Sequence, residues 1–66
     1  MTKHPRIEIN PDIMVGKPVV QGTRITVEHI LRRLTDYDTL PAFLDDYPNL
    51  TADDVRAALA YAADQP

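Results

Sequence analysis

The residues able to do chemistry are few, and their spacing is unpromising for catalysis. The chain has no Ser and no Cys, which removes the usual nucleophiles and any thiolate zinc site. Of six Thr, three (Thr26, Thr39 and Thr51) stand where helix caps are expected. His4 and His29 fall in different elements, and neither has a carboxylate at a spacing that fixes a triad. Glu28 and His29 are adjacent, so on a helix they diverge, and His29 reads as a solvated surface group. Asp45-Asp46 and Asp53-Asp54 raise the question of a hard cation, which needs several oxygens converging on one point. Adjacent helical residues diverge, and Asp53 and Asp54 already suit the positive end of a helix. No glycine-rich phosphate loop is present, since Gly16 and Gly22 are the only glycines. The expectation is a protein that is not an enzyme, with no catalytic residue, no metal and no cofactor.

What remains is charge. Residues 1–34 carry six basic side chains against three acidic ones, and residues 35–66 carry one against seven, within a net charge of −3. Such asymmetry suggests two faces with different partners, or attraction between copies, with a pair of solvated surfaces as the alternative. Lys17, Arg24, Arg32 and Arg33 form the basic candidates in the first half, and Arg56 is the only cation of the second. If Lys17, Arg24, Arg32 and Arg33 converge they make a patch for nucleic acid or for an acidic protein surface; otherwise they are scattered solvated charges. For Arg24, set in a short strand between apolar residues, a paired structural role is the leading expectation.

The elements that must position these groups follow from periodicity. Ile7-Glu8-Ile9 alternates as a half-buried strand does, and Asn10-Pro11-Asp12 breaks it. Pro18-Val19-Val20 and Thr23-Arg24-Ile25 flank Gln21-Gly22 and predict a hairpin. Val27, Ile30, Leu31 and Leu34 then form a helix stripe capped by Thr26, with Ile25 and Ile30 as a hydrophobic staple. Leu40, Phe43, Leu44 and Tyr47 repeat the spacing, with Thr39 as cap and Pro41 tolerated in the first turn. Pro48 ends that run. Thr51-Ala52-Asp53-Asp54 is a capping-box variant opening a third helix. Its inner stripe is expected at Val55, Ala58, Leu59 and Ala62, and its outer face at Asp53, Asp54, Arg56, Ala57, Ala60 and Tyr61. The tail Asp64-Gln65-Pro66 is expected to fray.

The reading is a single domain over residues 1–66, mainly α with short N-terminal strands. A strand and β-hairpin occupy 1–26, and a three-helix helix-turn-helix bundle occupies 27–63. The last two helices, joined by Pro48-Asn49-Leu50, have helix-turn-helix spacing. The third helix would be the reader of a DNA major groove, but from Ala52 onward it offers one Arg against three Asp, which a phosphate backbone disfavours. A chain of 66 residues hides little surface, so a partner is the natural stabiliser. A homodimer is expected through the strand region, with Ile7, Ile9, Val19, Val20 and Ile25 as interface candidates. Neither a signal-peptide core nor a run long enough to span a bilayer appears, and a cytoplasmic protein without membrane contact is expected.

The stretch INPDIMVGKPVVQGTRITVEHIL, followed by LDDYPNLTADDVRAALAYAA, resembles the bacterial and archaeal family known as domain of unknown function four-three-three. The likeness covers Ile9 to Ala63 and rests on Gly16-Lys17-Pro18, Gly22-Thr23-Arg24, Asp46-Tyr47-Pro48 and Leu50-Thr51. It departs from the family pattern near Tyr37-Asp38 and Pro41. The resemblance implies a homeodomain-like or winged-helix-like domain preceded by short strands. It also implies an antitoxin of a toxin–antitoxin pair that inhibits a PIN-like nuclease toxin by direct contact and autoregulates its operon by binding operator DNA. A stand-alone helix-turn-helix transcriptional regulator is the alternative.

Overall fold

The computed structural model describes residues 4–65; Lys3 of the charge count and Pro66 of the tail lie outside them. Two short strands, β1 (Ile7–Glu8) and β2 (Val19–Val20), precede three helices, α1 (Val27–Leu34), α2 (Leu40–Asp46) and α3 (Ala52–Ala63). The mainly helical architecture with N-terminal strands is the one the periodicity predicts.

Each helix starts where its cap predicts. Thr26, Thr39 and Thr51 have extended backbones, and their hydroxyls accept from the N–H of His29, Ala42 and Asp54 respectively. Asp54 returns the favour by accepting from the Thr51 N–H at 3.0 Å, closing the capping box. The shorter Asp therefore does what Glu usually does at this position. Pro41 sits in the first turn of α2, where no N–H is needed. Tyr47, preceding Pro48, leaves helical geometry and caps the helix.

The strands depart from expectation. β2 pairs antiparallel with β1, Ile7 opposite Val20 and Glu8 opposite Val19. The expected Gln21-Gly22 turn forms, with the Thr23 N–H donating to the Val20 carbonyl at 3.0 Å and Gly22 at φ 81°. Its second arm is not a strand. The Thr23 hydroxyl donates to the Val20 carbonyl and accepts from the Ile25 N–H, curling the chain locally. Only a single bridge, Val19 to Thr26, survives before the chain enters α1. β2 thus lies between β1 and the arm leading into α1: the Val20 N–H donates to the Ile25 carbonyl, and the Gln21 N–H to that of Arg6.

The largest fully buried side chains are Phe43, Ile30, Val19, Val20 and Val55. Three of the expected dimer contacts, Ile7, Val19 and Val20, are therefore core residues of their own chain. Ile25 packs partly buried against the same core. Ile9 alone of the five is open, at 59% exposure. Antiparallel pairing sets Ile7 opposite Val20, so the two share one face and join the helices in the core, whereas Ile9 lies beyond the end of β1.

The buried arc of α3 is also shifted from expectation. Leu59, placed on the inner stripe by its apolarity, is 45% exposed, while Asp54 is buried and Tyr61 half-buried. The helix packs against both α1 and β1, which keeps the expected Val55 and Ala58 buried and Ala62 half-buried, and widens that face toward Asp54 and Tyr61 at the expense of Leu59. Arg6 and His4 arrive from the N-terminal segment to meet the polar members of that face.

Between the strands, residues 9–18 form a loop that opens with the expected turn. The Asp12 N–H donates to the Asn10 side chain at 2.8 Å. Met14, Val15 and Gly16 then follow one another in the left-handed region, at φ 50°, 58° and 78°. Two carbonyls close this turn, Ile13 accepting from Gly16 N–H and Met14 from Lys17 N–H, each at 3.1 Å. A β-branched residue there is a genuine outlier.

Candidate functional site

The basic candidates do not gather into one patch. Lys17 and Arg32 converge on Glu28, at 3.7 and 2.9 Å, because β2 starts beside α1 and Arg32 lies one turn beyond Glu28. Arg33 pairs with Asp36 at 3.1 Å on another side of α1. Arg56 reaches Asp53 at 3.4 Å on α3. Arg24 is exposed, and among the described residues its guanidinium makes no ion pair or hydrogen bond. The structural role expected for it is thereby corrected. Position explains the change: its arm is a curled loop that places the side chain in solvent instead of between apolar faces.

Two participants were missed from sequence. Arg6 bonds Asp54 at 3.1 Å and approaches Asp53 at 3.8 Å, joining the N-terminal segment to the start of α3 across 48 residues. Glu28 links Lys17 to Arg32, although only its spacing to Arg32 is visible in the sequence. The acidic pair at the start of α3 is thus neutralised by Arg6 and Arg56. No set of three or more His, Cys, Asp or Glu among the described residues is placed to hold a metal ion.

A second constellation braces α1 to α2. Phe43 stacks on Tyr47 with centroids 4.5 Å apart, and Tyr37 meets Phe43 edge-on at 5.4 Å. His29, exposed as expected, is not isolated: its Nε2 lies 2.9 Å from the Tyr47 hydroxyl. The Tyr37 hydroxyl donates to Asp46 at 2.6 Å, and the carboxylate holds the phenol above its ordinary pKa. Arg33 is likewise raised, first by the Asp36 charge and then by the Tyr47 hydroxyl. Rings form the buried side of this cluster and charges its solvent side, an arrangement that holds two helices together.

A concavity lies elsewhere on the chain. A groove of about 480 Å³ runs between α1 and the end of α3. Pro18, Val27, Leu31 and Ala62 supply apolar walls, Tyr61 closes one side, and Lys17, Glu28 and Arg32 stand on the rim. Most of its surface is apolar. Its form suits an apolar side chain presented by another surface.

Three capped helices closed over a two-stranded antiparallel N-terminal sheet, with an apolar groove and an exposed arginine on a loop, define a small, mainly helical domain. The chain belongs to the DUF433 family, described as a protein of unknown function, whose model matches residues 7–62. It is 35% identical over 57 residues to the uncharacterized protein y4eO of Sinorhizobium fredii, covering 86% of this chain. The chain spans 26% of that relative's length. A crystal structure of a DUF433 member protein from Anabaena variabilis superposes with a TM-score of 0.82 at 31% identity, over 92% of this chain and 60% of that one. No helix among the described residues is long and apolar enough to cross a membrane.

Proposed function

We propose that this domain acts by contact and not by catalysis, as the antitoxin of a toxin–antitoxin pair in the cytoplasm, binding and silencing a PIN-like nuclease. The observation that carries the reading is Arg24. Every other arginine among the described residues is engaged with a carboxylate, whereas Arg24 is held on a loop with its guanidinium open. The Thr23 hydroxyl bonds and the left-handed Gly22 set the loop's shape, so the side chain is presented from a fixed base. A guanidinium so placed suits an acidic protein surface, which it meets in a bidentate manner. Nucleases that use metal ions hold them with carboxylates, and such a cluster is a surface of that kind.

The stand-alone DNA-binding reading is weaker. Its reader helix would be α3, whose first turn presents Asp53 and whose cation Arg56 is already paired to it. A duplex would meet carboxylate first.

Co-expression with the product of the neighbouring gene tests the proposal. The expected result is a co-purifying pair, and a neighbour that arrests growth unless this domain accompanies it. A neighbour that is harmless alone and does not co-purify would sink the reading. Salt-dependent binding of the isolated domain to its own promoter, with no protein partner, would favour the regulator instead.

A further inference from the structure

We propose that the α1/α3 groove is the dimer seat of this domain, and that its occupant is the left-handed turn of a second copy, exchanged reciprocally about a two-fold axis. Val15 is 92% exposed and Met14 40%, and both stand on a turn held in left-handed geometry by two backbone hydrogen bonds. An apolar side chain is rarely carried on so unfavourable a backbone for solvent to wet. The turn runs directly into Lys17 and Pro18, which form one wall of the groove. An exposed apolar turn therefore leads directly along the chain into one wall of a concave apolar slot. That arrangement is self-complementary: one two-fold rotation places each turn in the other copy's slot and closes the pair.

Two further observations favour a copy of this chain over a different partner. Leu59, exposed at 45%, stands three residues before the groove residue Ala62 on α3, so a further exposed apolar side chain flanks that wall. The rim carries both signs, with Glu28 between Lys17 and Arg32. A two-fold axis across that rim brings Glu28 of one copy toward Lys17 or Arg32 of the other, so the same charges serve both sides. This replaces the strand-mediated dimer, whose contacts Ile7, Val19 and Val20 are buried within each chain. The inference does not depend on the antitoxin reading.

Sedimentation of the full chain across a wide concentration range tests it. The wild type is expected to sediment as twice its 7.4 kDa mass at the upper end. Val15→Asp is expected to remain monomeric with an unchanged helical circular dichroism spectrum, since Asp tolerates left-handed geometry better than Val. Ile9→Asp is expected to dimerise as the wild type does. Because the chain lacks cysteine, Val15→Cys and Gln65→Cys chains can be mixed under oxidising conditions, Gln65 lying at the groove. The mixed disulfide should form well ahead of that between Ile9→Cys and Gln65→Cys. A wild type monomeric throughout, an open-ended series of oligomers, dissociation by Ile9→Asp but not Val15→Asp, or equal cross-linking of the two pairs would each overturn the proposal.

Discussion

Asp54 serves two partners with its two oxygens: Oδ2 accepts the Thr51 N–H that closes the α3 capping box, and Oδ1 receives the Arg6 guanidinium at 3.1 Å. The start of the last helix and the segment entering the first strand are thereby tied through one carboxylate. The Asp54 side chain is only 12% exposed, less than the carboxylate of any other ion pair among the described residues.

Removing that carboxylate removes a cap and an ion pair together. Asp54→Ala is expected to cost about 2 kcal/mol, from the loss of the cap and of a charge-assisted hydrogen bond. Arg6→Ala should cost less, because Arg6 is half exposed and the capping box survives it. Urea denaturation of the two variants and of the double variant checks this; a double-mutant cycle showing no coupling would disprove the shared role.

Phe43 sits at the centre of both the core and the ring cluster. Truncating a buried Phe costs about 3–5 kcal/mol. The whole stability of a domain this size is on the order of 3–10 kcal/mol. Phe43→Ala is therefore expected to leave a substantially unfolded chain at physiological temperature, read by loss of helical circular dichroism on mild warming.

Val15 offers a test of backbone strain separate from association. Measured at concentrations too dilute for any pairing, Val15→Asn should raise stability by about 1 kcal/mol, since Asn adopts left-handed geometry at lower cost than a β-branched residue. Thermal melts at low concentration provide the readout, and an unchanged or lower midpoint would count against strain at this turn.

Arg24→Glu is expected to leave stability within about 0.5 kcal/mol of the wild type, as a surface change without intramolecular partners does. On the proposed function it should abolish capture of the nuclease, while Arg56→Glu should not. Equal loss from both substitutions would shift the contact to general charge and away from this loop.

Tyr37 sets an alkaline limit. Its folded-state pKa lies above the ordinary value because the neutral hydroxyl donates to Asp46. The stabilisation is fully present below the unfolded phenol's pKa and is lost as pH rises through the folded one. Tyr37→Phe should remove this component, so that the stability difference between wild type and variant shrinks above about pH 10. Denaturation series from neutral to strongly alkaline pH would show it, and a constant difference would refute it.

Local chemistry was enough to place the helices. Capping residues, prolines and the 3.6-residue stripe act within a few positions, so Thr26, Thr39, Thr51, Pro41 and Pro48 marked boundaries that the structure keeps. The absence of Ser and Cys and the uneven charge are likewise complete in the sequence. The tertiary structure alone decided which faces those helices bury and which charges meet. Two-residue strands carry too little pattern to choose a partner, so β2 took β1 on one side and left a curled arm on the other. The shift of the α3 buried face followed from packing on two elements at once, which exposed Leu59 and drew Asp54 to Arg6. Arg24 was set free and the groove beside the left-handed turn was formed by the same long-range packing, because both depend on contacts between segments that no local spacing records.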